Sequence, residues 1–375
     1  KGVVEADVMK TLIRFRAKKI GITSDIEKAF WQIKVDDQDQ KYLGLIWIDE
    51  YEKFQYFRMT VVPFGLTCSP FILQSTIQKH CEDTKLYPEI SNELASKFYV
   101  DDYVNSMDNL PDAIENKTKI QEILKEASFN IRKWTMSGDN VEPVRVLGIW
   151  WNPQTDEIYL NEPKFEIPVK ITRRFIQSIC AKLFDPLGII APVKILLREL
   201  NRKACQLNLD WDDEVPQEMN DIVQQTIKNI DELFETIKLR RTIIKSNSIL
   251  IYCDASATAY GAVAYLANNE EKLLLLSKNY LSNKTTIPEL EFMALMVGIR
   301  VMEIVKPIFP DHKIVLFTDS KITKERFLKN PNKLKPHLGI QILQTNKYKF
   351  ELCHVKGKDN PADIASRGTT CEKLK

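Results

Sequence analysis

Two aspartates, Asp101 and Asp102, stand side by side inside the run KFYVDDYVNS at residues 97–106. The run is apolar and β-prone on both sides of them, so it reads as a hairpin with carboxylates at its turn. Adjacent like charges repel, and burying one unpaired carboxylate is costly. A fold that holds this segment must expose the pair at a turn or set something positive against it. No nearby arginine is an evident partner. A divalent cation is the alternative, because magnesium prefers carboxylate oxygens and takes one or two of them together with substrate phosphates. Asp25, in ITSDIEKAF after an apolar stretch, offers a further carboxylate. Three carboxylates around a metal pair suit in-line phosphoryl transfer. The plainer reading of the same residues is a turn pair and a helix cap.

The chain has 375 residues, which suits two or three domains. Its 53 basic and 51 acidic side chains leave a net charge of +2, which excludes a uniformly basic nucleic-acid binder but not a local basic groove. The 7 cysteines form no C-x-x-C pair, and the 4 histidines have no H-x-x-x-H spacing. A disulfide framework or zinc knuckle is therefore not expected, and a reducing compartment is. The start, KGVVEADVMK, has no initiator Met and no apolar signal core. No apolar run reaches the ~18 residues of a membrane span. The chain reads as soluble, without a membrane segment, and as part of something longer.

From residue 1 to about 151, strand-like and helical runs alternate. KYLGLIWI and FQYFRMTVV read as strands flanking the acidic turn DEYEK. SPFILQSTIQKHCED reads as a helix, with Ser69 as cap and Pro70 in its first turn. NLPDAIENKTKIQEILKEASF reads as a helix with an apolar face at Ile114, Ile120, Ile123 and Leu124. VRVLGIWW and EIYL suggest a second hairpin. Residues 160–245 read as mostly helical, ending in a basic linker, KLRRTIIKSN. From about 248 onward, SILIYCDAS, YGAVAYL and KLLLLSKNYL are three strands, PELEFMALMVGIRVMEIV a long helix, and KIVLFTDS and YKFELCHVKG two more strands.

FYVDDYV resembles the Tyr-x-Asp-Asp signature of reverse transcriptases, SDIEKAFWQI their first palm motif, and VVPFGLTCSPFILQ the Pro-x-Gly-x-x-x-Ser-Pro segment that follows. FNIRKW and VLGIWW resemble the later palm motifs. FDPLGIIAPVKILL and LDWDDEVP resemble the Bel/Pao group of long-terminal-repeat retrotransposons. The resemblance spans the whole chain. It implies that Asp25, Asp101 and Asp102 hold magnesium, with manganese as a substitute. It further implies that Phe30 lies beneath the incoming sugar, that Gly65 lets backbone approach the nucleotide, that Gln74, on the helix begun by Ser69 and Pro70, takes part in nucleotide binding, and that Lys133 lies near the triphosphate. One departure stands out: only 24 residues precede Asp25, so most of the fingers region of the family is missing.

The tail repeats the acidic logic with Asp254 in YCDAS, Glu291 on the long helix, Asp319 in FTDS and Asp363 in KDNPADIASRG. Three carboxylates at strand ends or helix starts plus one on a helix can converge at one end of a sheet. The order resembles ribonuclease H, which implies four carboxylates and two magnesium ions cleaving the RNA strand of a hybrid. The family pattern selects Glu291 over Glu289, and the role of its mobile-loop histidine does not pass to His354. The whole resemblance implies an α+β multidomain chain. Residues 1–155 form a right-hand polymerase palm, an antiparallel sheet with helices and partial fingers. Residues 156–245 form a helical thumb or connection, and 246–375 an α/β ribonuclease H-like domain with a five-stranded mixed sheet. It implies RNA template, DNA primer, RNA–DNA hybrid and deoxynucleotide triphosphates as partners, and a cytoplasmic site, including virus-like particles. The alternative is a truncated or repurposed fragment, inactive as a polymerase, that keeps ribonuclease H activity or only binds nucleic acid. LRRTIIK at 239–245 and the pair Arg173 and Arg174 are candidate phosphate contacts.

Overall fold

Alternation of apolar and polar residues sets the first sheet. The computed structural model describes residues 7–242, 245–282, 286–329, 331, 336–345, 348 and 350–374. It divides into two units, residues 1–141 and 142–375. In the first, helix α1 (Val8–Phe15) starts at Asp7, whose carboxylate accepts from the Met9 and Lys10 amides. Strand β1 (Ile20–Ile26) follows. A hairpin of β2 (Gly44–Ile48) and β3 (Phe54–Arg58) comes next, then α2 (Ser69–Asp83), α3 (Pro88–Leu94), β4 (Phe98–Tyr99), β5 (Asp102–Met107), α4 (Leu110–Glu126) and β6 (Ile131–Met136).

The main sheet has the order β4-β5-β1-β6, antiparallel throughout. Along β1, Ile20, Ile22 and Ile26 turn to the core, where they join Leu73 and Ile77 of α2 and Ile120, Ile123 and Leu124 of α4. Successive side chains on a strand alternate, so Asp25 stands on the opposite face. The hairpin of β2 and β3 is unlike this sheet: all ten of its residues are exposed, Trp47 at 64% and Tyr56 at 77% among them.

Two details of the helices differ from the expectation. Ser69 does not cap α2; the N-cap is Cys68, and the Ser69 hydroxyl donates to the Pro63 carbonyl at 2.7 Å. Ile114 is exposed on α4, because its neighbour on the buried face is Ala113.

The second unit opens with β7 (Val144–Val146), β8 (Ile149–Asn152) and β9 (Glu157–Tyr159), followed by α5 (Arg173–Lys182), α6 (Ala191–Gln206), α7 (Gln217–Thr236) and β10 (Lys238–Arg240). The basic run expected as a linker supplies β10, which pairs with β9 and completes a four-stranded sheet. Arg241 just after it is fully buried, with Nε and Nη2 donating to Asp156 at 2.8 and 3.0 Å. Residues 243 and 244 of that run lie outside the described residues.

The unit continues with β11 (Ser248–Ala255), β12 (Ala259–Ala267), β13 (Lys272–Leu281), α8 (Ile287–Val305), β14 (Lys313–Thr318), α9 (Lys321–Leu328), α10 (Pro336–Thr345), β15 (Glu351–His354), α11 (Asp363–Arg367) and α12 (Cys371–Leu374). Their sheet has the order β13-β12-β11-β14-β15, antiparallel among the first three strands and parallel between β11, β14 and β15. The FDPLGIIAP run is the hinge into α6. The half-buried Asp185 carboxylate accepts from the Ile189 and Ile190 amides at 2.8 Å each, and desolvation raises its pKa. Gly188 there has φ +71°, and a Cβ would lie 2.0 Å from the Ser277 carbonyl oxygen, so only glycine fits. The expected boundary at 245/246 falls inside this unit.

Two candidate carboxylate centres

The first centre is built by register. β1 and β5 run antiparallel with Asp25 opposite Asp102, and residues directly opposite share a face. Tyr103 takes the core face, so Asp102 and Asp25 both stand on the other one. Asp101 sits in the turn between β4 and β5, and its carbonyl accepts the Ile26 amide at 3.0 Å. Val100, the residue before it, has φ +58°. A β-branched residue rarely adopts that conformation, and such strain gathers at functional sites.

Charge crowding is evident here. Burial raises the Asp102 carboxyl to about 6, with the Asp101 and Asp25 charges adding to the effect. Burial is also the main cause that raises Asp101. The compensating cation is Lys133, whose Nζ lies 3.1 Å from Asp25 Oδ2. It is aimed there by a bulge: the pairing of β1 with β6 shifts between Thr23 and Asp25, and Lys133 has φ +55°. Asp25 Oδ1 remains buried with no hydrogen-bond partner.

The other residues singled out in the sequence make no contact with the three carboxylates that the structure records. Phe30 is buried in the core, with its ring edge-on to Phe64 at 5.0 Å. Gly65 has φ +88° and open space where a Cβ would be. Gln74 lines a cavity beside α2.

The second centre is built by parallel strands. β11 and β14 lie side by side with Cys253 opposite Thr318, so Asp254 and Asp319, one residue further on, come together. Asp254 is 5% exposed. Burial raises it to about 6, and the Ser366 hydrogen bond opposes this while the Asp319 and Asp363 charges add to it. The Ser366 hydroxyl donates to Asp254 Oδ2, and Asn360 Nδ2 to Oδ1 at 3.4 Å. Glu291 Oε2 accepts the Ser320 hydroxyl at 2.5 Å, which ties α8 to the residue after Asp319. Asp363 Oδ1 accepts from Arg367 Nε at 2.5 Å, four residues on along α11. His354 Nε2 lies 3.1 Å from the Asp319 carbonyl oxygen, a backbone contact.

The sequence reading missed Ser320, Asn360, Ser366 and Arg367. The Asp363, Ser366, Arg367 spacing of i, i+3, i+4 was the available signal, since it sets all three on one helical face. Arg173 and Arg174 are engaged elsewhere. Arg173 stacks on Trp211 at 4.2 Å and donates to the Leu209 carbonyl, while Arg174 grips Asp212 with two nitrogens.

Among the described residues, no three His, Cys, Asp or Glu side chains are arranged as a ready-made metal site. The donor chemistry nonetheless fits a hard cation. The first centre has an orphaned carboxylate oxygen beside two desolvated carboxyls, and the second has a carboxyl raised by burial and by two others. Among the described residues no helix is long and apolar enough to cross a membrane.

Comparison with known proteins bears on both units. Residues 4–150 match the family model described as reverse transcriptase (RNA-dependent DNA polymerase). Residues 172–320 match the Pao retrotransposon-like RNaseH-like domain, which runs across residue 245. No curated protein matches. Solved structures do. One is the foamy viral protease-reverse transcriptase dRH in complex with double-stranded DNA, with TM-score 0.64 and 16% identity over 96% of this chain and 61% of that one. Another is the foamy viral protease-reverse transcriptase with an RNA/DNA hybrid, with TM-score 0.63 and 16% identity over 95% of this chain and 46% of that one. The chain thus spans about half to two thirds of the length of these two relatives. The likeness establishes the fold: a mixed α+β architecture with a four-stranded antiparallel sheet in the N-terminal part and a five-stranded mixed sheet in the C-terminal part. The chain is therefore similar to reverse transcriptases over residues 4–150 and to the Pao retrotransposon-like RNaseH-like domain over residues 172–320.

Proposed function

We propose that the chain is an RNA-directed DNA polymerase coupled to ribonuclease H cleavage of the RNA strand of RNA–DNA hybrids. The observation that carries this reading is that each unit has carboxylates from neighbouring strands crowded together. In the first, Asp25 faces Asp102; in the second, Asp254 feels Asp319 and Asp363. Divalent cations, magnesium or manganese, would be held by Asp25, Asp101 and Asp102 in one centre and by Asp254, Glu291, Asp319 and Asp363 in the other. Bound there, such ions lower the pKa of the attacking hydroxyl or water and steady the leaving oxygen.

The protein's own residues do the rest. Lys133 offsets the carboxylate charge from the open face. Phe30 screens the sugar by its bulk, Gly65 leaves room for nucleotide and template, and Gln74 belongs to the nucleotide-binding side. Ser366 and Asn360 fix the Asp254 carboxylate, and Ser320 fixes Glu291. The partners are an RNA template, a DNA primer, their hybrid and deoxynucleotide triphosphates. Residues 1–155 act as palm with partial fingers, 156–245 as thumb or connection, and 246–375 as ribonuclease H-like domain. The reaction is set in the cytoplasm, including virus-like particles.

One observation favours a second reading, in which the polymerase half is inactive and the ribonuclease half works: all ten residues of the β2–β3 hairpin are exposed. The test is a labelled RNA–DNA hybrid with a recessed DNA primer, magnesium and deoxynucleotides, with Asp101→Asn and Asp319→Asn as controls. Extension lost only in the first and RNA cleavage lost only in the second supports both activities. Cleavage without extension selects the second reading. Neither activity in folded protein rejects both.

A further inference from the structure

Helices α1, α2 and α3 surround a cavity of about 660 Å³ that the carboxylate centre does not use. Its size lies in the range of about 300–1,000 Å³ typical of small-ligand sites. Lys10 and Arg14 line it from α1, Phe71, Gln74 and Gln78 from α2, and Asn92 from α3. Two polar atoms of these residues are buried with no hydrogen-bond partner: Arg14 Nε, a donor, and Gln74 Oε1, an acceptor. Native proteins leave few such atoms, and each calls for a partner. Arg14 is also tethered, since its Nη2 donates to the Val104 carbonyl of β5 at 3.4 Å.

The charges around the cavity cancel, because Asp7 and Glu82 line it as well. That disfavours a free anion and favours a neutral group with a donor and an acceptor of its own. Phe71, 38% exposed, offers an aromatic surface at the same place. Phe98, another wall residue, belongs to β4, whose turn carries Asp101.

We propose that this cavity is a pocket for an unpaired nucleobase. The proposal rests on the polymerase reading of the first unit. A base carries donors and acceptors side by side on its edge and a π face that stacks on aromatic rings. One ligand thus offers a partner to both of these side chains and covers the phenylalanine. The base comes either from a single-stranded template overhang or from a free deoxynucleotide.

The full chain is tested by fluorescence anisotropy with blunt RNA–DNA hybrid, with hybrid carrying a single-stranded template overhang, and with labelled deoxyadenosine triphosphate alone. Ser75→Tyr fills the cavity from α2, and Arg14→Lys removes the Nε donor while keeping the charge; circular dichroism and melting curves verify folding. The expected result is that the overhang tightens binding about tenfold in the native chain, the worth of one stacked base, and that both variants lose this gain. Loss of nucleotide binding alone in the variants assigns the pocket to the free nucleotide. Retention of both in folded variants overturns the proposal while hybrid binding keeps the polymerase reading. A native chain that binds no hybrid overturns both.

Discussion

Asp102 titrates well above an ordinary carboxylate, and two predictions follow from that. Its folded pKa, about 6, lies above the value of 3.8 for the free side chain. Between those values the folded state binds the extra proton, so stability falls as pH rises through that window and the cost is complete at pH 7. Asp102→Asn should therefore stabilise the fold at pH 7 by on the order of 1 kcal/mol, after allowance for partial solvent screening. The gain should vanish below about pH 4. Urea denaturation at both pH values checks this, and an equal gain at both would refute it. The same substitution should lower primer extension at least a hundredfold, because a neutral amide holds a cation poorly. For Asp254, also raised to about 6, RNA cleavage should decline as pH drops through 6. A cleavage rate flat from pH 5 to 8 at fixed magnesium would contradict that assignment.

The carboxylates themselves were legible because their order along the chain is preserved where no single one is diagnostic. Their supports were not. Lys133 reaches Asp25 through a bulge that no local pattern announces, and Ser366 and Asn360 bond Asp254 across more than a hundred residues. Sequence spacing is silent on contacts of that range.

At the level of elements, the clearest dependence is that of α11 on its neighbours. Asn279 of β13 is buried, and its Nδ2 donates to the carbonyl of Ala191 in α6 at 3.1 Å and to that of Ala365 in α11 at 2.9 Å. One side chain thus joins three elements and holds the helix that begins at Asp363. Asn279→Ala removes both buried hydrogen bonds, and a loss of about 2 kcal/mol is expected from the usual worth of such bonds. Thermal melting reads the loss, and RNA cleavage should drop with it while primer extension stays. Unchanged stability would mean water replaces the amide.

Periodicity made most elements readable, and the places where it failed share a cause. Ile114 was assigned to the buried face of α4, yet Ala113 takes that place. Ser69 looked like a cap and instead anchors Pro63. β10 looked like a linker because its charges hid a strand, and the buried Arg241 just after it is matched to Asp156 far upstream. In each case a tertiary partner decided what local preference left open.

For the whole molecule, the bare hairpin of β2 and β3 is the main liability. Ile46, Trp47 and Tyr56 are exposed at 62%, 64% and 77%. An exposed apolar ribbon with open edges promotes association between copies. The double variant Trp47→Lys, Tyr56→Glu should lower concentration-dependent light scattering while changing stability by less than about 0.5 kcal/mol, as surface substitutions do. Scattering that does not change would place the association elsewhere.

The two centres also differ in where the chain supplies them. Asp25, Asp101, Asp102 and the cation at Lys133 all lie within the first unit, whereas Asp254 is not complete until Asn360, Asp363 and Ser366 have arrived. On a ribosome adding about 5–20 residues per second, the 230 residues between Lys133 and Asp363 take roughly 10–50 s. A nascent chain therefore carries every carboxylate of its first centre, and the lysine beside them, well before it carries the last of those that crowd Asp254.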